Sequence, residues 1–121
     1  MLTLAVALAA GAGAVLRYLL DQAVQHRTRG DFPYGTVVIN ITGSFLVGLV
    51  TGLAAHHGLS TTATVVIGVG LAGGYTTLST WAWETVALAE TGDLLEASMN
   101  ILGSFAAGMT AASAGLGLAL L

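Results

Sequence analysis

The sequence contains no cysteine, a single proline and only three basic side chains. Without cysteine there are no disulfides, no thiol nucleophile and no thiolate metal site. Charge of either sign is scarce. Charged residues make up 7% of the chain against 55% hydrophobic residues, where a soluble domain has about 25% and about 45–50%. So few charges cannot clothe an aqueous surface of this size, and lipid is the solvent this composition fits. The net charge of -3, with no basic cluster, argues against nucleic acid as a partner. No linker, charge run or low-complexity tail divides residues 1–121, which read as one domain.

What the chain does have is long apolar runs. A bilayer core about 30 Å thick needs roughly 20 mostly apolar helical residues to cross it. Four stretches qualify: Leu2–Leu20, whose one charge is Arg17, and Tyr34–Ala55, Gly58–Trp83 and Ala97–Leu121. The expected fold is therefore all-α and integral to the membrane, with helices over about 2–20, 34–56, 61–89 and 94–120. Ala7-Leu8-Ala9 looks like a signal-peptide cleavage site, but no basic segment precedes the run and Arg17 lies beyond the cut.

Short punctuation separates the runs and leaves no room for an extramembrane domain. Arg27 to Pro33 is the first loop, with Pro33 suited to the first turn of helix two. Gly58 after His56-His57 suits a left-handed cap, and Ser60 can cap the next helix. Asp93 and Glu96 have capping-box spacing before helix four. That role fits the two acids better than catalysis, and His56-His57 fits interfacial polarity better than metal binding. Tyr34 and Trp83 suit the aromatic belt at the membrane surface.

Seventeen glycines form the next signal. Helices in lipid associate by close backbone contact at small residues. Gly48 with Gly52, Ala9 with Gly13, and Gly108 with Ala112 all have small-xxx-small spacing, which predicts tight helix pairs.

Polar residues inside spans must find partners, so each is a candidate site. Asn40 lies in helix two, and Asn100, Ser104 and Gly108 recur every four residues along one face of helix four. The third run contains Gly73-Gly74-Tyr75-Thr76-Thr77-Leu78-Ser79-Thr80-Trp81. Each glycine weakens a helix by about 1 kcal/mol relative to alanine, and hydroxyls can bond freed backbone groups. A break near Gly73–Thr77 is expected. Discontinuous membrane helices commonly build ion sites from such backbone, which suggests an ion path lined by uncharged donors. The plainer reading is a glycine kink that only improves helix contact.

Four blocks, in order, resemble the small CrcB/Fluc-type fluoride channel family. They are Gly11-Ala12-Gly13-Ala14-Val15-Leu16-Arg17-Tyr18, the run from Phe32 to Phe45 around Asn40, Gly73 to Trp81, and Asn100-Ile101-Leu102-Gly103-Ser104-Phe105. The resemblance implies an antiparallel dimer with two fluoride pores and a central sodium ion. It also implies passive fluoride export across the cytoplasmic (inner) membrane that reduces fluoride toxicity, and no enzyme activity. By the match, sodium is held by backbone carbonyls of Gly73 and Thr76. Asn40 matches the pore asparagine, Thr77 and Ser104 the hydroxyl track, and Arg17 the arginine near the pore entrance. Snorkelling to the headgroups is the alternative for Arg17. Glu84 matches a family glutamate, with a structural or a pore role.

The chain departs from that pattern at the aromatic box. Leu78 and Trp81 stand where two phenylalanines are expected, and Asn100 stands where many relatives have tyrosine. Trp81 offers a ring edge and an indole N–H; Leu78 offers neither. All three basic side chains, Arg17, Arg27 and Arg29, fall at the end of helix one or in the first loop, and such bias places that loop in the cytoplasm. A biased subunit resembles members of two-gene pairs, so homodimer and heterodimer both stand. Three rival classes share parts of this pattern. A membrane enzyme lacks a nucleophile–base pair, and a small multidrug-type antiporter should carry a glutamate in helix one. A non-conducting partner subunit is kept open by Leu78.

Overall fold

The computed structural model describes residues 1–121, all helical apart from short connections. Helix α1 spans Leu2–Gln25 and α2 spans Tyr34–His56. The third span, Thr61–Glu90, is built from α3 (Thr61–Thr64), a π-helical segment (Val65–Leu71), α4 (Ala72–Tyr75) and α5 (Ser79–Glu90). Helix α6 spans Leu94–Leu118. All four spans are long and apolar enough to cross a membrane, and the chain is a multi-pass membrane protein. Only 17 of 121 residues are buried, while Leu8, Leu95, Leu102 and Phe105 are each more than two-thirds exposed. That surface suits lipid or another apolar subunit, and is untenable in water.

Sequence signals account for most boundaries. Ser60 accepts the Ala63 N–H and caps α3. Gly58 adopts φ 66°, and the Leu59 N–H reaches back to the Leu53 carbonyl, closing α2 with a left-handed glycine cap. Helix α1 runs to Gln25 instead of ending near Leu20, because Gln25 Oε1 receives the Gly35 N–H, one of the orphan donors at the start of α2. Pro33 sits one position before α2, as its cap, and its carbonyl accepts from Val37 N.

The capping box at Asp93 and Glu96 does not form. Gly92 takes φ 90° and the Asp93 N–H is already bonded to the Leu88 carbonyl at 2.9 Å. The donor that Glu96 would have reached is therefore spent, and Asp93 Oδ2 instead accepts from the Thr91 hydroxyl.

Glycines set how the helices meet. Gly48 of α2 lies against the Ala112 backbone of α6, and Gly115 of α6 lies against Phe45 O and Leu49 N of α2. On the other side, Gly13 of α1 touches Leu71 O and Tyr75 N, Gly70 touches Val6 and Ala9, and Gly74 touches the Ala10 backbone. The π-helical segment has no signal in the sequence. The Ala72 N–H bonds to the Ile67 carbonyl, five residues back. Such a widened turn re-aims the residues that follow, and here Gly70 and Gly74 both meet α1.

These contacts give a direct stability test. A Cβ at Gly48 would lie 3.0 Å from Ala112 Cα and closer still to the Ala112 carbonyl, neither of which is a flexible side-chain end. Gly48→Ala is expected to destabilise by about 1–3 kcal/mol, as over-filled interiors do. Gly103→Ala meets nothing within 4 Å and should be neutral or slightly stabilising. Thermal unfolding in detergent, followed by circular dichroism, separates the two.

Candidate functional site

The third span breaks at Thr76–Leu78, just after the two glycines. Gly73 and Gly74 stay helical within α4, and Thr76 turns extended, with φ -78° and ψ 161°. Gly74 is needed for approach to α1, so the threonines, not the glycines, carry the break. Asn40 of α2 holds it open. Asn40 Nδ2 donates to the Thr77 carbonyl at 2.9 Å, and Asn40 Oδ1 accepts the Thr77 N–H at 2.9 Å. One side chain thus satisfies both backbone groups of the residue at the gap, which lipid could not do.

Thr77 is buried, and its hydroxyl accepts the Thr80 N–H at 3.2 Å. That bond caps α5, so the hydroxyl serves the restart of the helix. Because the Thr77 N–H points to Asn40, the Gly73 carbonyl loses the partner that a continuous helix would supply. The Thr76 carbonyl accepts from Arg17 Nη1 at 3.3 Å. Arg17 is therefore directed toward the break. It also lines a cavity of about 230 Å³ with Tyr18, Asp21, Thr36, Thr77 and Thr80.

Glu84, one helical turn below Thr80, accepts from the Thr36 hydroxyl at 2.9 Å, while its second oxygen is buried without a partner. His57 Nε2 lies 2.6 Å from the Ala119 carbonyl. That contact ties the ends of α2 and α6 together, and no cluster of metal-binding side chains accompanies it.

Beside the break, α2, α5 and α6 enclose an open groove of about 450 Å³ lined by Asn40, Ser44, Leu78, Trp81, Ser104, Phe105 and Gly108, among others. No ionisable residue lines it. Leu78 stands at its edge, 76% exposed. Trp81 contributes a ring, but its indole N–H is spent on the Asn100 carbonyl at 3.1 Å. Only the ring edge, electropositive by its quadrupole, remains for the groove.

Asn100 does not line the groove at all. It is wholly buried behind it, with its amide on Thr85 at 2.8 Å and on Ser104 at 3.3 Å. The Ser44 hydroxyl bonds back to the Asn40 carbonyl at 2.7 Å. An amide has two N–H donors, and Asn40 uses one on Thr77, so its second is the strong donor left to the groove. Sequence reading missed Ser44 and Thr85. Both follow a named residue by four positions, Asn40 and Trp81 respectively, which is the spacing that could have found them.

A discontinuous membrane helix, clamped by an amide and flanked by an uncharged, mostly apolar groove with a few polar side chains, is the architecture of a protein that moves a small solute or ion across the bilayer. Residues 4–116 match the family model described as "CrcB-like protein, Camphor Resistance (CrcB)", and the chain belongs to that family. It is 44% identical over 116 residues to a protein of Leifsonia xyli subsp. xyli named "Fluoride-specific ion channel FluC 1", covering 96% of this chain and 85% of that one. A protein of the same name from Rubrobacter xylanophilus is 46% identical over 107 residues, covering 88% and 84%. "Fluoride-specific ion channel FluC 2" of Mycobacterium tuberculosis is 44% identical over 110 residues, covering 91% and 84%.

Proposed function

We propose that this chain is a subunit of a fluoride-selective channel that lets fluoride leave passively across the cytoplasmic membrane and so limits its toxicity. The observation that carries the reading is the groove itself. In a protein similar to named fluoride channels, it sets the free amide N–H of Asn40 beside a broken helix, with no charged group to trap an anion. Fluoride is small and strongly hydrated, so a path must replace water's donors without holding the ion too firmly. Asn40 and the Trp81 and Phe105 ring edges provide such donors; the Ser44 and Ser104 hydroxyls are bonded inward at rest.

The groove is open along one side, which suits closure by a second subunit. We infer an antiparallel pair, with the carbonyls of Gly73 and Thr76 from each subunit facing one sodium ion. The fit rests on the Gly73 carbonyl freed by the Asn40 clamp and on oxygen donors being the ligands hard cations take. The Thr76 carbonyl has a second lone pair beyond the one Arg17 uses. The ion would supply fixed positive charge and bind the two subunits together.

Arg27 and Arg29 both lie between α1 and α2. This asymmetry favours a partner encoded separately, in the opposite orientation, over a second copy, and relatives are named both FluC 1 and FluC 2. Reporter fusions to the C-terminus are expected to report one orientation, with residues 26–33 in the cytoplasm. Equal amounts of both orientations would make the pair a homodimer.

The function is tested by fluoride efflux from liposomes containing the purified chain, alone and with its paralogue, with chloride efflux as control. Fast fluoride efflux without chloride efflux is expected from the competent pair. Equal release of both ions, or of neither from folded protein with its partner, would overturn the reading.

Leu78→Phe tests the groove's edge. The position is open enough for the larger ring, which adds a second electropositive edge where leucine offers only aliphatic surface. Fluoride efflux is expected to rise severalfold at unchanged selectivity over chloride.

A further inference from the structure

The hydrogen bonds behind the groove run in one direction, and a single residue fixes it. Thr85 Oγ1 lies 2.8 Å from the Trp81 carbonyl, which can only accept, so the Thr85 proton is committed there. Thr85 Oγ1 also lies 2.8 Å from the Asn100 amide. With its proton spent, Thr85 must accept on that side, so Asn100 Nδ2 faces it and Oδ1 faces Ser104. Ser104 then has one way to bond at 3.3 Å, by donating its hydroxyl proton to Asn100 Oδ1. The result is that Ser104, which lines the groove, turns its proton inward and presents lone pairs outward.

We propose that Thr85 is a positioning residue that withholds the Ser104 proton from the resting groove. The inference rests on the fluoride-channel reading and concerns how that channel releases its ion. The bond from Ser104 to Asn100 is long, so an approaching anion can draw the hydroxyl round to itself. Doing so strips the buried Asn100 Oδ1 of its partner, and an unpaired buried acceptor is unfavourable. Each fluoride contact at Ser104 therefore works against a restoring pull from behind. The anion is held weakly and leaves quickly, which conduction requires. Asn100 does this without touching the ion, as its complete burial demands.

Removing the Thr85 hydroxyl should reverse the order. In Thr85→Val nothing holds the Asn100 amide in one orientation, and in the turned-over one Nδ2 donates to Ser104 and the Ser104 proton is freed to the groove. The fluoride concentration giving half-maximal efflux from liposomes is expected to fall about tenfold, as a hydrogen bond to an ion would predict, and maximal efflux to slow. Thr85→Ser restores the hydroxyl and should return both values to those of the unaltered chain. Asn100→Leu, which lacks the acceptor altogether, should tighten fluoride in the same way and serves if the valine variant does not fold.

Fluoride titration of the backbone amide resonances of Ser104 and its neighbours in labelled protein gives the same affinities without relying on conduction. Variants that bind and conduct fluoride as the unaltered chain does would overturn the proposal. So would a Thr85→Ser chain that behaves like Thr85→Val. An unaltered chain, with its partner, that neither binds nor conducts fluoride would instead overturn the channel reading on which the proposal stands.

Discussion

Asn40→Leu should abolish fluoride efflux, lowering it by about a hundredfold or more, and should also loosen the fold. The side chain has two tasks that cannot be separated. It closes both hydrogen bonds at the break, to Thr77 N–H and Thr77 C=O, and it carries the groove's free donor. Each backbone group left unpaired costs about 1–3 kcal/mol, so the loss of the clamp alone amounts to about 2–6 kcal/mol. Asn40→Asp is the sharper variant. A carboxylate still accepts from Thr77 N–H, but it sets an anion against the Thr77 carbonyl and against any anion in the groove. Asn40→Asp is expected to unfold at a higher temperature than Asn40→Leu while conducting no better. Efflux near that of the unaltered chain from a folded Asn40→Asp protein would remove the amide from the ion's path.

Arg17 is the second position where a large effect is expected, and there charge and hydrogen bonding can be told apart. Its guanidinium reaches the Thr76 carbonyl from α1, 59 positions away in sequence. As the basic side chain nearest the break it raises the local concentration of anions, an effect worth about tenfold or more in encounter rate. Arg17→Met should lower fluoride efflux by about that factor, and the deficit should shrink in high salt, where such fields are screened. Arg17→Lys keeps the charge on a shorter, more mobile stem and gives up the planar fork. Near-normal efflux from the lysine variant assigns the role to charge. Loss in both variants assigns it to the Thr76 carbonyl, which then needs a fixed partner to hold the break.

Much of the fold could be read from hydropathy because membrane spans carry an unusually plain signal. Tyr34–His56 begins where the apolar run does and ends one residue past it. The capping signals at Ser60 and Gly58 act locally and were equally legible. The break expected near Gly73–Thr77 opens at Thr76, while Gly74 serves contact with Ala10. Where neighbouring backbone intervened, sequence misled. Asp93 looked ready to form a capping box, but the left-handed turn at Gly92 sends its N–H to Leu88.

The site divides the same way. Asn40, Ser104, Leu78 and Trp81 all meet at one groove. The sequence could not say where their protons go, because that depends on partners in other helices. Trp81 spends its indole N–H on Asn100, and Asn100 lies buried behind the wall it was expected to form. The widened turn at Val65–Leu71 left no trace in composition or spacing.

The interruption at Thr76–Leu78 also bears on how the chain enters the bilayer during synthesis. Helix α5 has 12 residues and at 1.5 Å per residue reaches about 18 Å, well short of the roughly 30 Å hydrocarbon layer. Residues 61–75 reach about 22 Å on the same count. Neither piece crosses by itself, so the insertion machinery must take both as a unit, with a bare peptide group at mid-depth. The remedy has already been made by then. Helix α2 is synthesised first, and Asn40 waits in the membrane for Thr77 to arrive. A permuted gene that delivers α2 after the third span would ask the ribosome's product to sit in lipid with that peptide group uncovered, and biogenesis, not conduction, would be where such a protein fails.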